Sequence, residues 1–277
     1  MLHVPSLPQA LDRGLRKKKD TWGDDRVHVS DLAVAIGEKC PRQLWLRIRG
    51  AKKKELSTGQ LLMFDHGHRI HERLVEVMDT ALPLGWHIFH VEKGVRIGDV
   101  TGRLDIMLKH ALGSRVVVDF KTLRGRAFGY LEEVRPAHKL QVQSYSMAVN
   151  ADGGLVFYVD REGQNKPKQF FVERDDAKVK WAIAETLEVA HGEQPGILLP
   201  QLVISKNKGP DSVKLKMPWQ CEYCEYIDIS CPGALPYEDR NNGIIGYLDG
   251  ETFKPKGKKD YSAIVAELKG GDTACPF

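Results

Sequence analysis

Residues 115–121 read Arg-Val-Val-Val-Asp-Phe-Lys. Val116, Val117 and Val118 make a run that is apolar on both faces of an extended strand, as a central strand covered on both sides requires. The run ends at Asp119, and Lys121 stands two residues further on. A period of two puts both side chains on one face. An isolated buried carboxylate is costly, so a buried strand that delivers Asp119 implies a partner for its charge.

Working outward, two more stretches have period two. His87–Ile97 and Val100–Lys109 read as strands, joined by a turn at Gly98-Asp99, and a second turn signal spans Ala111 to Ser114. Before them, Leu62, Ile70, Leu74, Val77 and Met78 recur at helical spacing and predict a helix over 59–79. Ser30-Asp31 reads as a helix start, and Pro41 suits the first turn of a short helix directly after Cys40. Downstream, a helix is predicted over 129–149, interrupted or bent near Pro136. Strands follow at Leu155–Asp160 and Gln169–Glu173, then an amphipathic helix over 174–191. The order α, β, β, β, α, β, β, α is that of an α/β fold. Residues 1–26 read as a loose arm. Residues 236–277 show weak periodicity, with one short helix predicted from Tyr261 to Leu268.

The chain has 277 residues, 42% apolar and 28% charged, an ordinary globular composition. It contains no apolar run long enough for a membrane-spanning helix. Its beginning lacks the charged-then-apolar order of a signal peptide, so a soluble, unexported protein is expected. The net charge of +4 is uneven, because residues 1–60 carry 13 Lys and Arg against 7 Asp and Glu. A basic amino-terminal region on a near-neutral body suits a polyanionic partner. The five cysteines are an odd number, which argues against a disulfide framework. Cys221 and Cys224 form a Cys-x2-Cys pair, Cys231 follows after six residues, Cys40 lies far upstream, and Cys275 is near the end. Three clustered thiols plus a distant one read as a metal site in a reducing compartment, suited to zinc or to an iron–sulfur cluster.

Asp105 on the second strand and Asp119 on the third supply two carboxylates, which can hold Mg²⁺ or Mn²⁺; the backbone carbonyl of Phe120 could add a third oxygen. Such a metal lowers the pKa of a bound water and neutralises charge developing on a phosphate. Lys121 could position that water or stabilise the oxyanion. The same spacing also fits a plain Asp–Lys ion pair at a strand end. His71 shares a helix face with Leu74 and Val75, so it reads either as a core histidine or as a further metal ligand. Gln141 and Tyr145 lie four apart on one helix face. They read as ordinary helix residues, or as Gln141 fixing Lys121 or the water with Tyr145 against the substrate backbone. Arg103, Arg124 and Arg126 are candidates for gripping a phosphate backbone.

Taken in order, Gly67-x-x-x-His71, Gly102-Arg103-x-Asp105, Asp119-x-Lys121 and Gln141-x-x-x-Tyr145 resemble the RecB-like branch of the PD-(D/E)XK nuclease superfamily. Cys40 before the first catalytic helix, with Cys221, Cys224 and Cys231 after the core, is similar to its iron–sulfur subgroup. That subgroup includes CRISPR-associated adaptation exonucleases and AddB-type nuclease domains. Val29-Ser30-Asp31-Leu32 and the stretch from Cys40 to Trp45 share the likeness, which covers about residues 27–235. Leu104 stands where many members have proline, and Asp119 where many have glutamate.

The resemblance implies a restriction-endonuclease-like core, with a central mixed sheet flanked by helices and an iron–sulfur subdomain joining the amino- and carboxy-terminal regions. Its parts would be 1–58 (basic arm and helical region), 59–192 (nuclease core), 193–235 (cysteine region) and 236–277 (tail). It implies a metal-dependent DNA exonuclease of recombination, repair, phage DNA metabolism or CRISPR adaptation, cytoplasmic in a prokaryotic cell or infected host. DNA is the partner implied, with recombination or CRISPR proteins beside it and no membrane. His71, Asp105, Asp119 and the Phe120 carbonyl would hold Mg²⁺ or Mn²⁺, Lys121 would be the catalytic lysine, and Gln141 and Tyr145 would support it. Cys40, Cys221, Cys224 and Cys231 would ligate a [4Fe–4S] cluster. A non-catalytic DNA-binding or assembly module of the same fold, and a zinc-stapled protein, are the alternatives.

Overall fold

The structure, a computed structural model, describes residues 11–12, 14–16, 25–196, 198, 201–204, 213–216, 218–222, 224–227, 229–231, 237–238 and 245–246. The helix expected at Tyr261–Leu268, Cys275, and most of the amino-terminal arm lie outside them. The chain forms two compact units, one of residues 1–50 with 55–194, the other of 51–54 with 195–277.

The first unit is a mixed six-stranded sheet between helices. Strand β1 (Val27–His28) leads into a 3-10 helix (Val29–Val34), and helix α1 (Pro41–Ile48) follows Cys40. Helix α2 (Thr58–Asp79) starts at a reciprocal cap: Ser57 Oγ accepts the Gln60 N–H, and the Gln60 side chain accepts the Ser57 N–H. Strands β2 (Trp86–Ile97) and β3 (Val100–His110) form a hairpin whose two-residue loop uses Gly98 at φ +58°, a backbone conformation that suits glycine. Strand β4 (Arg115–Leu123) pairs antiparallel with β3 and parallel with β5 (Gly153–Asp160), which pairs antiparallel with β6 (Lys168–Glu173). Helix α5 (Asp176–His191) closes the unit, its N-cap Asp175 accepting the Lys178 N–H.

Three local readings are corrected. The expected helix over 129–149 starts later: α4 spans Pro136–Ala148, and non-helical residues 130–135 separate it from a short helix α3 (Gly125–Gly129). Pro136 has no N–H to donate and holds Arg135 extended, so it begins a helix rather than bending one. Ser30 is not a helix cap. Asp31 sits within the 3-10 helix, where its carboxylate accepts the His28 N–H at 2.8 Å and pairs with Lys39 and Arg47. Strand β1 was missed; it is two residues long, pairs parallel with Val100 and Thr101, and is too short to show a period.

The valine run behaves as its composition requires. Val117 packs with Leu32, Leu104, Leu140, Tyr145 and Val179 on one face of the sheet, while Val118 and Phe120 pack with Ile106, Leu74 and Met78 on the other. Leu74 and Met78 are partly buried; each of the other, buried side chains contributes about 1.5–3 kcal/mol of hydrophobic stabilisation. The two faces fix β4 between α4 and α2, and so fix where its carboxyl end lies.

In the second unit β7 (Gln201–Ile204) pairs antiparallel with β8 (Val213–Lys216), and β9 (Tyr237–Glu238) with β10 (Ile245–Gly246). A single-turn helix, α6 (Trp219–Glu222), carries Cys221. Segment 51–54 lies along the cysteine loop: the Lys54 N–H donates to the Glu225 carbonyl at 2.7 Å, and Ser230 Oγ donates to the Lys52 carbonyl at 2.6 Å. No helix among the described residues is long and apolar enough to cross a membrane.

Candidate active site at the splayed end of the central strands

The β3–β4 ladder ends at the pair Ile106–Val118. Asp105 and Asp119 occupy the next position on each strand, where the two backbones part and open a cavity of about 400 Å³. The Phe120 N–H donates to Asp105 Oδ2 at 2.7 Å, so a carboxylate takes the donor that a ladder carbonyl would otherwise receive. Helix α2 brings His71, whose Nδ1 is 3.7 Å from Asp105 Oδ2 and whose ring tilts over Phe120. Helix α4 brings Gln141 and Tyr145, which line the cavity with His28, Val29, Ser30, His68, Glu92, Gly102 and Arg103.

Asp119 is 2% exposed. Lys121 Nζ stands 2.8 Å from its Oδ2, yet off the line a hydrogen bond needs, so this buried oxygen has a counter-charge without a well-aligned donor. Burial raises the pKa of both carboxyls, and for Asp105 the negative charge of Asp119 adds to it. Lys121 acts against the rise on each. Two buried carboxyls thus share one lysine, an arrangement that favours a further cation. Burial, then the charges of Lys121 and His68, lower the His71 pKa to about 4, so its imidazole is neutral at physiological pH and able to ligate. The oxygen and imidazole donors fit a hard divalent cation. Among the described residues, however, no three His, Cys, Asp or Glu side chains are already drawn together as a metal-holding group.

Gln141 and Tyr145 share a helix face, but Gln141 contacts neither Lys121 nor open space alone. Its Nε2 donates to the Tyr145 hydroxyl at 3.1 Å, and the Arg103 N–H donates to the same oxygen. Burial, the Asp119 charge and the Asp105 charge raise the Tyr145 pKa, so the phenol stays protonated. For Phe120, the contact seen is through its N–H; its side chain is fully buried beneath the site. Arg103 lies in the cavity, while Arg124 pairs with Glu162 at an exposed position at the end of β4. His68 also lines the cavity and contacts Glu72 at 3.4 Å.

Two groups escaped the sequence reading. Glu92 lines the cavity and contacts Arg103. The Gly98-Asp99 turn could have found it, because a two-residue loop sets a register that places Glu92 across from Asp105. Behind the site, the Tyr158 hydroxyl accepts the Arg135 N–H and shares a hydrogen bond of 2.8 Å with His138 Nδ1. Burial and the charges of Lys121 and Arg135 lower the His138 pKa to about 3, which keeps it neutral. No sequence signal marks that pair.

Cys40 is buried at the N-cap of α1 in the first unit. Cys221, Cys224 and Cys231 lie in the second. The Cys224 N–H donates to the Cys221 carbonyl and the Cys231 N–H to the Tyr226 carbonyl, which folds the loop tightly. Cys224 Sγ accepts the N–H groups of Tyr226 and Ile227, while burial pushes its thiol pKa up and the nearby Cys231 adds to this. A sulfur with two backbone donors is equipped to carry thiolate charge, as metal-ligating cysteines must.

Residues 30–232 match a sequence profile of the PD-(D/E)XK nuclease superfamily. The CRISPR-associated exonuclease Cas4 of Saccharolobus solfataricus is 22% identical over 236 residues, covering 83% of this chain and 96% of that protein. The crystal structure of SSO0001 has a TM-score of 0.50 at 18% identity, covering 81% of this chain and 95% of that one, which is a likeness of fold.

Proposed function

The chain belongs to the PD-(D/E)XK nuclease superfamily, and from that premise we propose that it is a metal-dependent deoxyribonuclease acting as an exonuclease on DNA ends or single strands. The observation that carries this reading is that Asp105, which lines the cavity, and the Asp119–Lys121 ion pair come together where β3 and β4 part. The likeness to a CRISPR-associated exonuclease supports end-dependent cleavage.

In this reading Asp105, Asp119 and the neutral His71 hold Mg²⁺ or Mn²⁺, with the Phe120 carbonyl as a further oxygen. The cation supplies positive charge against the scissile phosphate and makes water more acidic. The Phe120 N–H fixes the rotamer of Asp105, so one oxygen of that carboxylate keeps its place. Lys121 shares the face of Asp119, and its ammonium, 2.8 Å from that carboxylate, can hold the attacking water or the charge that builds on phosphate. Gln141 fixes the Tyr145 ring, which presents a protonated phenol towards the DNA backbone. Arg103 adds a cation for phosphate.

We also assign Cys40, Cys221, Cys224 and Cys231 to a [4Fe–4S] cluster, in line with the two N–H donors on Cys224. Zinc is the competing occupant. Recombination, repair, phage DNA metabolism and CRISPR adaptation are the settings that fit, with protein partners from those systems.

The deciding experiment compares end-labelled linear with closed circular single-stranded DNA, using anaerobically purified wild type and Asp119→Ala with Mg²⁺, Mn²⁺ or EDTA. Metal-dependent loss of the linear substrate by wild type alone is expected. Cutting of the circle would replace the exonuclease by an endonuclease. Salt-sensitive DNA binding with no cleavage by folded wild type would replace it by a binding module.

A further inference from the structure

Glu92 is a non-glycine residue in the left-handed region, at φ +48°, in the interior of a strand. Its neighbours Val91 and Lys93 keep their rungs opposite Ile106 and Leu104. The chain therefore leaves and re-enters an ordinary ladder within one residue. That conformation is costly for a residue with a β-carbon and persists only where the surroundings gain from it. The side chain it delivers lies in the cavity, with its Oε2 2.6 Å from Arg103 Nε. Both side chains are about one third exposed (35% and 36%). An ion pair that open to water contributes little stability, so it does not offset the backbone cost.

The pair makes sense as a positioning device. Arg103 shares a strand face with Asp105 two residues on, and the two line the same cavity. A guanidinium has five donors in a planar fork, and a carboxylate at Nε fixes the plane while using one of them. We propose that Glu92 is a positioning residue for the nuclease site: it pins the Arg103 guanidinium at the cavity so that Arg103 meets a DNA phosphate already oriented. The gain is the ordering cost of a long flexible side chain, met before DNA arrives.

This inference rests on the nuclease reading, and binding separates the two. In an Asp119→Ala background with EDTA, anisotropy of fluorescein-labelled single-stranded DNA reads affinity without cleavage. Glu92→Gly suits the backbone at this position and removes the carboxylate. It is expected to keep or raise Tm, weaken DNA binding about 5–10-fold, and lower the slope of log affinity against log salt by about 0.7, the value of one phosphate contact on a single strand. Arg103→Ala is expected to weaken binding at least as much, and Glu92→Gly to add nothing in that background. Glu92→Gln, whose amide oxygen can still accept from Nε, should recover part of the loss. With Asp119 restored and metal present, Glu92→Gly should raise KM more than it lowers kcat. Unchanged affinity in Glu92→Gly overturns the proposal, as does a full additional loss in the Arg103→Ala background. A fall in Tm with unchanged affinity per folded molecule would make the pair structural and overturn it too. No cleavage by wild type, with these binding effects intact, would refute the nuclease reading and leave the Glu92–Arg103 device standing.

Discussion

At the scale of the residue, Asp119 sets the cost of the site. A carboxyl whose pKa is raised by folding binds more protons in the native than in the unfolded state. Its favourable contribution is therefore present at low pH and is lost as pH rises through the native pKa. Asp105 acts in the same sense. His71 acts in the opposite sense: its pKa, lowered to about 4, gives stability that is full above 6.5 and lost as pH falls towards 4. Comparing wild type with Asp119→Asn isolates the carboxyls. In EDTA the variant is expected to have the higher Tm at neutral pH, with the advantage shrinking as pH is lowered, and to cleave at least 10³-fold more slowly in metal. Cation binding requires both carboxyls to lose their protons. Cleavage by wild type should thus rise with pH through the acid-to-neutral range, and raising Mn²⁺ should move the midpoint to lower pH. A midpoint independent of metal concentration would count against Asp105 and Asp119 as ligands.

At the scale of the element, the site depends on how closely β3 approaches α4 and the 3-10 helix. A β-carbon on Gly102 would lie 2.8 Å from Val29 Cγ2 and 2.9 Å from Tyr145 Cε1. Glycine at the head of Gly102-Arg103-x-Asp105 is therefore a packing requirement, set by the ring that closes the cavity. Gly102→Ala is expected to destabilise the protein by about 1–3 kcal/mol, the usual cost of overpacking. It should also lower cleavage per folded molecule, because Tyr145 must move. Gly94 lies on the adjacent strand with no atom near its absent β-carbon. Gly94→Ala serves as the control and should leave cleavage unchanged. Thermal unfolding together with active-site titration distinguishes the two substitutions.

At the scale of the whole molecule, the second unit has little apolar core among its described residues and gathers instead around three cysteines and the backbone bonds of segment 51–54. Such a unit gains its order from whatever the cysteines hold. On the iron–sulfur reading proposed above, removal of iron by chelation is expected to lower Tm and to open the second unit to limited proteolysis before 59–194 is cut. A Cys221→Ala variant should reproduce that pattern and lose the brown colour. A colourless protein with stoichiometric zinc would assign the cysteines to zinc, and an unchanged proteolytic pattern after metal removal would deny them a structural role.

The sequence alone determined what rests on local period and residue chemistry. The valine run with Asp119 and Lys121, the long helix bearing His71, the Gly98-Asp99 hairpin and the order of the α/β core could all be read from it, because strands and helices print their periods of 2 and 3.6 directly on the chain. The four spaced motifs gave the superfamily. Tertiary structure decided what depends on approach between distant segments. It parted β3 and β4 at Asp105 and Asp119, turned Gln141 onto Tyr145, closed the cavity with a two-residue strand too short to have a period, and placed a strained Glu92 against Arg103. The reason is physical: periodicity reports which face of an element is buried, whereas side-chain partners, ladder ends and left-handed residues are set by the packing of elements far apart in sequence.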